Sequence, residues 1–194
     1  MNKDITNLLI IEGTTRPGRQ SIKAARLIEK VANENPSINV KFFDPAEVNI
    51  KFDGNDTINK IPEYGKLTEW AHAFYIVTPE YNHSFPGTLK KLLDTELANY
   101  IHKPVTIAGV SVGIFGGARC IENLLPTLRE MGFTTTFTDV NFANINNVFD
   151  KDDNLIDKSY LQRINNALTE LLWMSNTLRY GRANIDSRYH KKVK

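Results

Sequence analysis

Cysteine is nearly absent from this chain. Cys120 is the single one in 194 residues, which excludes an internal disulfide and any cysteine-rich zinc site. Long apolar runs are absent too: no stretch approaches the ~20 residues needed to span a bilayer. The opening Met1-Asn-Lys-Asp-Ile-Thr6 leads straight into a strand pattern without an apolar signal region, so the expected setting is cytoplasmic, away from membranes. Charge of one sign is equally scarce. Lys and Arg number 24 against 22 Asp and Glu, a net +2, which argues against a nucleic-acid partner and against an acidic tail. Some of the positive charge gathers in 181–194, which reads as a solvated basic tail. No linker, repeat or low-complexity run divides the sequence, and 1–194 is expected to form a single α/β domain.

What the chain does have is a recurrence of apolar, β-branched runs with helical patterns between them, the signature of a parallel sheet. Strands are expected at 8–12, 39–44, 73–78, 105–112 and 135–141. Helices are expected at 21–33, 63–72, 86–98, 119–131 and 158–180, the last with Leu161, Ile164, Leu168, Leu171, Leu172 and Leu178 on one face. The polar stretch 45–60 has no predictable course. Five strands with helical crossovers match a flavodoxin-like three-layer sandwich, a five-stranded parallel sheet of order 2-1-3-4-5. In such sheets ligands bind at the carboxyl ends of the strands, where the order reverses. The unusual residues should then follow strands 1, 3 and 4, and they do.

After strand 1 comes Gly13-Thr-Thr-Arg-Pro-Gly-Arg-Gln-Ser21, a tight polar loop before a helix. Free N–H groups and the helix dipole attract an anion there. Arg16 and Arg19 can fork onto phosphate oxygens, and Thr14, Thr15 and Ser21 offer hydroxyls. Gly13 to Gly18 has the GxxxxG spacing of a nucleoside triphosphate loop. Arg19 and Gln20 stand where Lys and the magnesium-binding hydroxyl belong, so a P-loop phosphotransferase is disfavoured. Thr15 breaks the GxGxxG dinucleotide pattern. A phosphate monoester fits best.

After strand 3 comes Thr78-Pro-Glu-Tyr-Asn-His-Ser-Phe-Pro-Gly87, read as an irregular polar segment with a row of free backbone amides suited to the edge of a planar heterocycle. Glu80 invites a reading as general base, but it serves equally as a partner for Arg119 or as a solvated residue; His83 reads as a bystander. After strand 4, Ser111-Val-Gly-Ile-Phe-Gly-Gly-Ala-Arg-Cys120 holds three glycines in five residues, which mark close backbone approach to something flat or anionic. Cys120 lacks a His–Asp partnership and reads as a buried helix residue. One phosphate, one ring edge and one glycine-lined wall describe a flat heterocycle with a single phosphate, of which FMN is the simplest match. No metal ligands are indicated.

On Gly13-Thr-Thr-Arg-Pro-Gly-Arg19, Pro79-Glu-Tyr-Asn-His-Ser84 with Pro86-Gly-Thr-Leu-Lys90, and Gly116-Gly-Ala-Arg119, the chain resembles the NADPH-dependent FMN reductase-like proteins, which include quinone, azo-dye and chromate reductases. The likeness runs over roughly 8–179. It implies that Thr14, Arg16, Arg19, Gln20 and Ser21 hold the FMN phosphate. Pro79, Glu80, Tyr81 and Asn82 line the ring, and Ser111 and Gly113 close its pyrimidine side. It also implies ping-pong transfer from NADPH or NADH to a small-molecule electron acceptor, with no catalytic side chain, and a homodimer or homotetramer. An FMN electron carrier of the flavodoxin type, without NAD(P)H activity, is the alternative; its frequent acidity is not found here. Two departures stand out: Gly13-Thr14 replaces the common Gly-Ser, and Val112, Ile114 and Phe115 make the acceptor pocket more apolar.

Overall fold

The computed structural model describes residues 5–55 and 58–189. The expectations for the opening residues and for the end of the basic tail fall on residues 1–4 and 190–194, outside the described residues. Strands β1 (Thr6–Glu12), β2 (Ile38–Phe43), β3 (Ala73–Pro79) and β4 (Pro104–Val110) pair in parallel in the order β2-β1-β3-β4. On the far side of β4 lie β5 (Thr134–Thr135) and, further along the same edge, β6 (Val140–Phe142). The architecture is the flavodoxin-like 2-1-3-4-5 arrangement.

Alternation along each strand divides the apolar residues between two faces. Leu8, Ile10, Tyr75, Val77, Ala108 and Val110 pack with Ala24, Ala25 and Ile28 of α1 (Ser21–Asn33) and with Ile164, Leu168 and Leu171 of α5 (Ser159–Asn184). Leu9, Ile11, Phe74, Ile76, Val105 and Ile107 pack on the other face against α2 (Pro62–Trp70), α3 (Gly87–Asp94) and α4 (Ala118–Glu130). On that face Phe133 stacks on Tyr100, ring centroids 4.5 Å apart, while Phe74 meets both edge-on.

Four local expectations need correction. The fifth strand is not continuous over 135–141. Thr136 Oγ1 donates to Thr138 O at 3.1 Å, a local bond that competes with the ladder and splits the strand, and Phe137 between the two pieces is 82% exposed. Helix α3 stops at Asp94 because Thr95 and Glu96 turn back with three-residue bonds to Leu92 and Leu93 carbonyls. Leu161 lies outside the buried face of α5 at 37% exposure. Finally, α5 runs on to Asn184, and Arg182, expected in a solvated tail, is buried with its guanidinium donating to His102 O. The stretch 45–60 starts as one 3-10 turn, Pro45–Glu47, capped by Asp44 accepting from Ala46 N at 2.9 Å.

Candidate functional site

The loops that follow β1, β3 and β4 meet at the carboxyl edge of the sheet, where β1 lies between β2 and β3. The first loop leaves β1 through Gly13, whose N–H donates to Val77 O at 2.7 Å; a Cβ there would sit 2.8 Å from the same carbonyl. Contact with the neighbouring strand therefore demands this glycine. Helix α1 starts with no side-chain cap and no acidic residue in its first turn. Gln20, at the cap position, turns its amide back onto Gly18 O at 3.1 Å. An uncapped helix start with no acidic residue in its own first turn is a place for an anion.

The cations of this loop have different duties. Arg16 is exposed, its guanidinium 5.5 Å from the Tyr81 ring centre. Arg19 is drawn back instead: its terminal nitrogen bonds Asp44, and its Nε lies 3.8 Å from Glu12 Oε1. Ser21 Oγ donates to Glu12 Oε1 at 2.5 Å. Arg19 and Ser21 thus tie the loop to β1 and β2. Thr14 Oγ1 accepts from Arg16 N at 3.3 Å and shares a 3.2 Å hydrogen bond with the Tyr81 hydroxyl, so the first and second loops are joined directly.

The second loop is not irregular. Tyr81 and Ser84 exchange both backbone hydrogen bonds, at 2.8 and 3.0 Å, around Asn82 and His83 with φ of 48° and 72°. That is the hairpin turn with two left-handed central residues, for which asparagine is well suited. The expected row of free amides is shortened accordingly: Glu80, Tyr81 and Ser84 N–H groups are all bonded. Pro79 ends β3 in register with Val110. Asn123 of α4 donates to His83 O at 3.0 Å and steadies the turn. Glu80 Oε1 faces Arg119 Nη1 at 3.4 Å, while Oε2 is buried and has no hydrogen-bond partner among the described residues.

In the third loop Gly116 and Gly117 are required by the chain itself. A Cβ on Gly117, whose φ is +81°, would stand 2.5 Å from Val110 N. The close approach is thus to the backbone of β4. Gly113 alone of the three faces open space. Ser111 Oγ donates to Gly113 O at 2.9 Å, and Gly113 O also accepts from Asn144 N at 3.0 Å. Beyond them Val112, Ile114 and Phe115 are 65%, 72% and 54% exposed. Arg119 lies 4.4 Å from the Phe115 ring centre, linking that aromatic to Glu80. Cys120 is buried, and burial pushes its thiol up to about 12; it is a packed helix residue, as expected.

Sequence reasoning missed the residues behind the loops. Glu12 is fully buried, and burial raises its carboxyl to about 8. A charged residue closing the run Leu8–Ile11 was the available signal. Asp44 and Asn123, distant in sequence, gave none.

A family model for NADPH-dependent FMN reductase matches residues 6–147. The chain belongs to this family. It is accordingly an NAD(P)H-dependent oxidoreductase that uses FMN. An NAD(P)H-dependent FMN reductase of Pseudomonas aeruginosa is 28% identical over 90% of this chain and 97% of its own. A quinone reductase of Escherichia coli is 36% identical over 58% of this chain and 63% of its own. Among solved structures, the flavoenzyme NAD(P)H:(acceptor) oxidoreductase FerB of Paracoccus denitrificans superposes with a TM-score of 0.73 at 17% identity, covering 89% of this chain and 98% of the other. That last likeness speaks for the fold.

Proposed function

We propose that the chain acts as one FMN-binding domain that passes electrons from NADPH or NADH, in ping-pong order, to quinones, azo compounds or flavins. The observation that carries this reading is the open start of α1, uncapped and without acidic residues in its first turn, beside the exposed Arg16. It fits a phosphate monoester, with Thr14, Arg16 and Gln20 as the direct side-chain contacts and Arg19 and Ser21 behind them. The unpartnered, buried Glu80 Oε2 fits an N–H donor of the ring, with Pro79, Tyr81 and Asn82 along the same edge. Ser111 and Gly113 close the pyrimidine side. FMN held by these residues would supply the redox chemistry, a two-electron relay between nicotinamide and acceptor with protons exchanged with solvent.

The residues' part is to bind, orient and exclude water. The Thr14–Tyr81 bond keeps phosphate loop and ring loop at a fixed separation. Val112, Ile114 and Phe115 provide an apolar wall for a flat acceptor. The same exposed wall supports a homodimer or homotetramer with the site at a subunit boundary.

The test is a set of melting curves with FMN, FAD or ATP with magnesium, followed by NAD(P)H oxidation with an added quinone. FMN should stabilise, by mass action, and oxidation should follow. Stabilisation by ATP and none by FMN overturns the reading. FMN binding without NAD(P)H oxidation supports the electron carrier instead.

A further inference from the structure

A carboxyl at the floor of a phosphate site is an anomaly. Glu12 is the last residue of β1, one step before Gly13, and it is completely buried. Its Oε1 accepts from Ser21 Oγ at 2.5 Å. Its Oε2 is buried and has no hydrogen-bond partner among the described residues. A buried carboxylate is costly unless it is paired and fully bonded; this one has only a share of Arg19, and one of its oxygens is unbonded.

The groups that face it come from every neighbouring element. From the loop, Arg19 brings Nε to 3.8 Å, beyond hydrogen-bonding range, and the Thr14 backbone N–H lies close enough to favour the ionised form. From the end of β2, Asp44 takes the terminal nitrogen of Arg19 and adds its own negative charge. β3 contributes Val77 in register, and α1 contributes Ser21. One guanidinium is therefore divided between two acids. With Glu12 ionised the cluster carries a net negative charge, and a phosphate dianion arriving at the same loop would add to it.

We propose that Glu12 is the proton-holding member of the phosphate site, so that the FMN phosphate and a proton on this carboxyl are bound together. The inference rests on the reading of 13–21 as the phosphate loop. With Glu12 neutral, the extra charge is gone, the Ser21 bond stays, and Arg19 answers to Asp44 and to the incoming phosphate. Burial, reinforced by the charge of Asp44, outweighs the Ser21 bond, Arg19 and the Thr14 N–H and holds the carboxyl near 8, so between pH 7 and 9 the free protein loses this proton. FMN must then draw it back from solvent.

The experiment is an FMN titration of the full chain, stripped of flavin, by fluorescence quenching between pH 7 and 9. The phosphate of free FMN stays a dianion over this range, its second pKa being about 6. The expected result is a Kd that rises about tenfold for the native chain, and by less than about twofold for Glu12→Gln. Calorimetry at pH 8.5 in buffers of different ionisation enthalpy should show uptake of between half and one proton per FMN by the native chain. This second readout stands even where the variant fails to fold. Tight FMN binding with a flat pH profile and no proton uptake overturns the role of Glu12 and leaves the phosphate loop intact. An unchanged slope in Glu12→Gln does the same. Absence of FMN binding at any pH overturns the loop reading, and the proposal with it.

Discussion

At the scale of single residues, the exposed cation and the hidden acid make separable predictions. Arg16→Ala should weaken FMN binding about tenfold to a hundredfold, the worth of a charge-assisted bond of about 1.5–3 kcal/mol, with an unchanged melting curve in the absence of flavin. Equal affinity by fluorescence titration removes Arg16 from the phosphate site. Glu80→Gln should keep the fold and most of the turnover at saturating quinone, because its partner Arg119 is partly exposed and that ion pair is weak. A thousandfold loss in kcat with FMN still bound would make Glu80 a catalytic residue. Glu12 also shapes stability without any ligand. Its pKa is raised from 4.5 to about 8 in the folded chain. Its contribution is therefore complete below the unfolded value and is lost as pH rises through the folded one. The melting temperature of Glu12→Gln, taken relative to the native chain, should climb between pH 5 and pH 9. Each kcal/mol amounts to about 2–4 °C in a domain of this size. Parallel curves would show Glu12 ionised without penalty. Residue types at loop positions were legible in the sequence, but their pairings were not. Whether Arg19 faces a ligand or Asp44 depends on where β2 ends, which no local pattern encodes.

Elements were legible where periodicity is strong and ambiguous where a local bond decides. The buried strand β3 and the start of α1 stand where their patterns put them, whereas β4 ends at Val110, two residues short of the expected 112, and the apolar pattern of the fifth strand hides the bond that Thr136 makes to its own chain. The glycine block teaches a similar lesson. Its composition suggests room for a ligand, but Gly117 has left-handed φ and almost touches β4. Gly117→Ala should therefore cost about 2 kcal/mol or more, from backbone strain and collision together, measured as a lower denaturation midpoint with unchanged slope. A neutral substitution would mean that the loop can leave β4 freely. The Asn82-His83 turn was hidden for another reason. Paired left-handed residues are commonly signalled by glycine, and none stands there.

For the whole molecule, alternation within two-sided apolar strands was enough to specify the layers, because each strand must feed both faces of the sheet. Assembly was not legible in that pattern. The exposed Val112, Ile114 and Phe115 lead to the expectation that light scattering gives at least twice the 22.0 kDa of one chain; a monomer at micromolar concentration would remove the subunit boundary from the proposed site. The two faces of the sheet also have different histories during synthesis. The face closed by α2, α3 and α4 receives all its helices by Glu130. The opposite face holds Leu8, Ile10, Tyr75, Val77, Ala108 and Val110 under α1 and the short segment 140–149 until Tyr160, Ile164, Ala167, Leu168 and Leu171 leave the ribosome. At about 5–20 residues per second, that gap lasts several seconds. A nascent chain stalled after residue 155 should accordingly be a chaperone client and readily cleaved by protease, and one stalled long enough to release α5 should be neither.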